Sequence, residues 1–295
     1  MENTSAVMTL SKTGNFEEMA ELSGINSDMK SAPKGNTTQL PRLRIYNKPI
    51  MGEEIIKGKK KKVELVESGS YRLYIPDRGN FYASEAILRV YMNRFMYKRY
   101  ISHENTYCKT VMANDLNNDL KDNMGTLNCG KPAGFVKDFA ALPEDTRNFY
   151  KEIKRTRVML GTVTLIDPID IDGFPSEVKD TPCIWEVDNR DAYKTMGTVF
   201  STIGKEKLLP VQVNIKLATE QTSTSSGVTY SLPIADPILS SVINISEDDK
   251  EIFVSLKAWL DNYNTYIVKS WEKLRKEDEV LGANVVSEFM DIELE

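Results

Sequence analysis

Between Pro41 and Leu232 the chain is built from short runs in which apolar residues fall at every second position, each closed by turn residues. Leu43 and Ile45 alternate with Arg42 and Arg44, and Val63-Glu64-Leu65-Val66 follows a lysine run. Ser68-Gly69 and Asp77-Arg78-Gly79-Asn80 bracket Tyr71-Arg72-Leu73-Tyr74-Ile75. A long run from Phe81 to Ile101 comes next, then Val158–Ile166, Cys183–Val187, Val211–Thr219 and Val228–Leu232. A period of two puts successive side chains on opposite faces of a strand, and strands so spaced pair as an antiparallel meander. The expected fold is mainly β, of the α+β kind.

Two stretches change period. Asp188-Asn189 can cap a helix over about 190–203, with Tyr193, Met196, Val199, Phe200 and Ile203 on one face and Gly204 as its stop. Ser246-Glu247-Asp248-Asp249 opens a longer one, in which Phe253, Leu256, Leu260, Tyr263, Ile267, Trp271 and Leu274 recur at spacings of three and four. That helix is long enough to pack along a barrel or on a second copy, which leaves a homo-oligomer open. Residues 113–148, with Gly125, Gly130, Pro132, Gly134 and Pro143, read as a long connection with one or two short helices, either functional or an irregular cover over one barrel end. The organisation expected is a flexible arm over 1–40 with a short helix at Phe16–Leu22, a core over 41–245, the amphipathic helix over 246–276 and an acidic tail over 277–295.

The net charge of −5, from 38 Lys+Arg against 43 Asp+Glu, hides a polarity. After Lys276 come seven acids and no base, which leaves the rest at +2. Arg42 to Lys109 alone holds 15 Lys/Arg against 7 acids, about +8. A basic working surface and an acidic tail follow from such segregation.

Chemistry is sparsely provided for. One histidine, His103, disfavours triads and most zinc sites, and Cys108, Cys129 and Cys183 are too scattered for a disulfide framework, as in a reducing cytoplasm. The start, Met1-Glu2-Asn3-Thr4, does not read as a secretory signal, and no run approaches the ~18 apolar residues of a membrane span. There is no phosphate-binding glycine loop, and Asp167, Asp170 and Asp172 with Gly173 read as a hairpin turn. The expectation is a non-catalytic protein with no cofactor and no metal.

One constellation does suggest a ligand. If Arg89–Tyr100 is a single strand, its odd positions Arg89, Tyr91, Asn93, Phe95, Tyr97 and Arg99 share a face that interleaves aromatics with arginines. Unpaired bases stack on aromatics while Arg and Lys hold phosphates, so this face suits single-stranded nucleic acid. A bulge would swap the faces. Lys59, Lys60, Lys61 and Lys62 in or beside a hairpin, and Lys154, Arg155 and Arg157 leading into the next strand, complete a basic groove. Phosphates are assigned to these lysines and to Arg89, Arg99, Arg155 and Arg157, and bases to Tyr91, Phe95 and Tyr97.

Gly161-Thr162-Val163-Thr164-Leu165-Ile166-Asp167-Pro168 ends a strand in Asp-Pro, and a loop, a short strand, a helix and a hairpin follow in order. Glu288-Phe289-Met290-Asp291-Ile292-Glu293-Leu294-Glu295 closes the chain with alternating acidic and apolar residues. In these features the chain resembles the single-stranded DNA-binding, helix-destabilising proteins of tailed bacteriophages, over about 60–240 and the tail. The resemblance implies an OB-fold-like antiparallel β-barrel and largely sequence-independent binding of single-stranded DNA in replication or recombination, in the cytoplasm of the infected bacterial host. It implies that Glu288, Phe289, Asp291, Glu293 and Glu295 contact replication or recombination proteins. The best-known member holds zinc through one His and three Cys. Here His103, Cys108, Cys129 and Cys183 lack any C-x2-C pair, and the thiols are expected to be buried and metal-free. The alternative reading is a virion or assembly component that oligomerises through its C-terminal helix.

Overall fold

The computed structural model describes residues 39–56, 59–224 and 226–292, with the backbone alone for 54–56 and 277–292. Residues 1–38 of the expected arm, its helix at Phe16–Leu22 and the end residues Glu293 and Glu295 lie outside the described residues. Leu40 onward forms one unit.

The alternating runs form strands: β1 (Arg42–Tyr46), β2 (Ile50–Ile56), β3 (Lys59–Val66), β4 (Ser70–Ile75), β5 (Gly79–Ala83), β6 (Glu85–Ile101) and β7 (Thr106–Lys109). After a long excursion and a short helix α1 (Glu144–Glu152) come β8 (Lys154–Ile166), β9 (Ile169–Asp170) and β10 (Thr181–Val187). Helix α2 (Arg190–Lys205), β11 (Asn214–Ser223), β12 (Thr229–Pro237) and the long α3 (Glu247–Ile292) complete the order. The Asn189 side chain caps α2 by accepting from the amides of Asp191 and Ala192, as its position before the apolar periodicity suggests.

Ten strands make one sheet in the order β12-β11-β6-β8-β10-β1-β4-β5-β9, with β7 beside the end of β6. The hairpin β2–β3 stands as its own two-stranded sheet. Two expectations are corrected here. The sheet is mixed, because β1 runs parallel to β10, and it is an open path rather than a closed barrel. Side chains span part of the gap: the Tyr71 hydroxyl donates to the Ala218 carbonyl (2.9 Å), Thr219 Oγ1 to the Gly69 carbonyl (2.9 Å), and the Ser231 amide to Asn47 Oδ1 (2.9 Å). The sheet thus curls until β4 meets β11 and the end of β1 meets β12 without sharing a backbone ladder.

Inside the curl lies the main core. Leu43, Tyr71, Leu73, Phe81, Leu88, Val90, Val163, Trp185, Ile215 and Leu217 meet Met196, Val199 and Ile203 of α2. A second core lies on the outer side of β6, β8 and β10. There Met92, Met96, Val158, Leu160 and Ile184 meet Leu256 and Leu260 of α3. A third, under the excursion, gathers Tyr97, Ile101, Cys108, Leu120, Cys129 and Ile153.

The bulge that would swap the faces of β6 is present. Val90 lies opposite Gly161 and Met92 opposite Leu160, so Tyr91 is an extra residue. Before it, the even positions Ala86, Leu88 and Val90 enter the main core; after it, Met92 and Met96 enter the α3 core. Gly161 permits the close approach: a Cβ there would stand 2.1 Å from the Arg89 carbonyl oxygen. Helix α3 also differs from expectation, continuing past Lys276 to Ile292 across the assigned tail boundary. None of the described helices is long and apolar enough to cross a membrane.

Candidate nucleic-acid interface

The bulge divides the expected aromatic face. Arg89 and Tyr91 turn to the start of α3. Arg89 Nη1 and Nη2 donate to Asp249 Oδ1 and Oδ2 (2.7 and 2.9 Å), and the Tyr91 hydroxyl donates to Oδ1 (2.6 Å). Ser246 and Asp249 cap the helix reciprocally through amide and side chain. Burial opposes the charge on Asp249, but these donors hold its carboxyl well below the usual range. Burial, then the bond to Asp249, pushes the Tyr91 phenol up. Both assigned contact residues are engaged in fastening α3.

Tyr97, assigned to a base, is fully buried. Its hydroxyl donates to the Leu116 carbonyl (3.3 Å) and accepts from the Gly134 amide (3.2 Å). It therefore ties together two parts of the excursion. Arg99 lies 4.5 Å from the Phe149 ring centroid. The shared face thus fails for Arg89 and Tyr91, which lie before the shift, while Tyr97 stays on the Phe95 side but is buried under the excursion.

Phe95 has a different setting. With Arg155 at the start of β8 and Tyr193 of α2 it lines a cleft of about 310 Å³, walled by Asp115, Leu116, Asn117, Gly134 and Phe135 of the excursion. Phe135 is 83% exposed, far more than a packed aromatic. Arg155 Nη2 donates to the Gly134 carbonyl (3.0 Å), which holds that wall against β8. The Phe95 and Tyr193 rings lie 6.1 Å apart, tilted by 47°.

Arg157 sits behind these rings. Its guanidinium carbon is 4.9, 4.7 and 5.3 Å from the centroids of Phe95, Tyr193 and Phe200, and Nη1 donates to Asn93 Oδ1 (3.3 Å). The residue is 7% exposed, and its Nε has no partner. No ion pair involves it among the described residues. Burial lowers its pKa, as expected for a cation whose compensation comes from ring faces. Nearby, the Lys131 ammonium lies 4.6 Å from the Tyr97 ring centroid. Burial first, and Arg155 second, lower its pKa to about 8.

The remaining lysines are placed as follows. Lys59–Lys62 are exposed along β3, where Lys60 pairs with Glu53 (2.9 Å). Lys154 is exposed opposite Lys98. Lys98 and Lys109 meet Glu186 (3.2 and 3.1 Å) in a largely buried cluster. Burial opposes ionisation of Glu186, yet Lys109 and Lys98 take its carboxyl down to about 2.

The zinc set suggested by the resemblance does not converge. His103 is exposed beside Glu104, and Cys183 lies in the main core. Cys108, Asp122 and Cys129 do come within 4.8 Å of one another. However, the Asp122 carboxylate accepts from the amides of Met124, Thr126 and Cys129 and from the Thr126 hydroxyl, as in a turn. Asp170 likewise accepts from the amides of Asp172 and Phe174, in keeping with a hairpin turn.

Sequence reasoning identified Phe95, Arg155 and Arg157, which the fold brings together. It missed Tyr193, Phe135 and Lys131. In the sequence Tyr193 shows only as part of the α2 apolar face, although its hydroxyl is a reason for such a residue to sit at a rim. An aromatic in a glycine-rich loop, Gly134-Phe135, was the available signal for the other wall. Compared with protein-family models, curated proteins and solved structures, the chain has no match in any of the three.

Proposed function

We propose that the protein binds single-stranded DNA without catalysis, through the cleft between Phe95, Tyr193, Phe135 and Arg155. The observation that carries this reading is the exposed Phe135 facing a cation-backed aromatic floor. Bases stack on Phe135 and the Phe95–Tyr193 floor, while Arg155, Lys131 and Lys154 meet phosphates. No reacting group is required.

The strand order supports a partly open, OB-like arrangement as the framework. The segment β12-β11-β6-β8-β10, with α2 between β10 and β11, follows the Greek-key order of that fold. The cleft is then walled by the connection between its first two strands, a usual place for oligonucleotides in OB folds. Phage replication or recombination in an infected host, and recruitment of partner proteins by the acidic end, are the setting we infer from the sequence resemblance. The virion reading has less support, because Leu256, Leu260 and Ile267 of α3 are buried within this chain.

The test is binding to oligo-dT and to duplex DNA over a salt series. Preferential, salt-sensitive binding to oligo-dT supports the reading, and equal or salt-insensitive binding refutes it.

A further inference from the structure

The outer side of β1, β4 and β5 carries a second basic and aromatic surface that sequence reasoning did not select. Leu43 and Ile45 of β1, Tyr71 and Leu73 of β4, and Phe81 of β5 pack in the main core. Strand alternation sends Arg44 and Tyr46, Arg72 and Tyr74, and Tyr82 to the opposite face. The register sets Arg44 directly across from Arg72, and Arg72 across from Tyr82.

Like charges directly opposite each other on a sheet repel. No ion pair relieves either arginine among the described residues. Arg72 is steadied by rings instead. Its guanidinium carbon lies 5.2 Å from the Tyr46 centroid, Tyr46 and Tyr82 are 5.7 Å apart, and its buried Nε has no partner. Arg44 is exposed, and Tyr74 beside them is 39% exposed. Paired cations with no ion pair of their own, next to an open ring and beside a Glu186 already held by Lys98 and Lys109, complement a polyanion that also offers π-faces.

We propose that this face is a second contact surface for single-stranded DNA, with a phosphate bridging Arg44 and Arg72 and a base on Tyr74. The inference rests on the binding function proposed above and adds a separate part of the footprint. An anion between the arginines removes their mutual repulsion, so binding here is strongly salt-dependent.

The experiment measures oligo-dT affinity over a salt series for the full chain, Arg44→Gln, and Arg44→Gln/Arg72→Gln. Each lost single-strand phosphate contact lowers the slope of log affinity against log salt by about 0.7, so the double variant, which loses the one bridged phosphate, should lose about 0.7. Arg44→Gln alone, at an exposed position, should lose a measurable part of that slope and keeps the test valid if the double variant fails to fold. An unchanged slope in folded Arg44→Gln, with the parent binding normally, overturns this surface and leaves the cleft reading intact. Loss of duplex binding equal to loss of oligo-dT binding overturns the single-strand assignment. Failure of the parent chain to bind oligo-dT removes both proposals together.

Discussion

Arg89 of β6 grips Asp249 of α3 with both guanidinium nitrogens, at 2.7 and 2.9 Å, across 160 residues of chain. The pair fixes the start of the long helix against the bulged strand, and the Tyr91 hydroxyl completes it. Removing one member leaves the other largely buried and unpaired. Asp249→Ala should therefore destabilise the fold by about 3–5 kcal/mol, measured by urea unfolding. Because the folded carboxyl is depressed, its stabilisation is present above the unfolded pKa and is lost as pH falls through the folded one. A loss of oligo-dT affinity with no loss of stability would instead place Arg89 and Tyr91 in the interface.

Gly161→Ala should cost at least about 1–3 kcal/mol, since the new methyl meets the Arg89 carbonyl and the strands must separate. Thermal denaturation checks it. An unchanged midpoint would mean the bulge tolerates a side chain.

This bulge also marks where sequence stops being informative. Alternation reveals β6 because each residue carries its own preference for core or water. The extra residue at Tyr91 is a property of pairing with β8, and depends on the small residue opposite. One such residue moved Tyr91 to the α3 side and left Phe95 with α2. Similarly, nothing local in Arg42–Tyr46 announces a parallel partner at Thr181–Val187. The cap at Asn189 and the helix from Glu247 were legible because their signals are contiguous. Phe135 and Tyr193 meet only after a long excursion folds back, so their neighbourhood with Phe95 was not.

Phe135→Ala should weaken oligo-dT binding by about 1–3 kcal/mol with little change in stability, because the ring is exposed. Tyr97→Ala should instead destabilise the excursion, losing a fully buried ring and its bonds to Leu116 and Gly134. Paired binding and unfolding titrations separate the two outcomes. A stable Tyr97→Ala protein with reduced affinity would restore Tyr97 as a base contact.

Lys131 has a pKa of about 8, so its charge is lost over a mildly alkaline range. If it meets phosphate, oligo-dT affinity should fall as pH rises through that value, and Lys131→Arg should flatten the profile. An identical pH profile for parent and variant would remove Lys131 from the interface.

Glu186 lies between Lys98 and Lys109, with its carboxyl lowered to about 2. Its contribution to stability is present above the unfolded carboxyl value of 4.5 and is lost as pH falls through about 2. Glu186→Gln should flatten the acid limb of the stability profile and destabilise the protein by about 3–5 kcal/mol at neutral pH. An unaltered acid limb would show that the two lysines are not its counter-charges.

The most direct test of the central claim is fluorescence anisotropy of labelled oligo-dT, about 30 nucleotides long, against the full chain and Phe95→Ala/Phe135→Ala over a salt series. The parent should bind single strands in preference to duplex with affinity falling steeply as salt rises, and the variant should bind far more weakly while staying folded. Indifference of the parent to strandedness or salt, or full affinity in the folded variant, would contradict it.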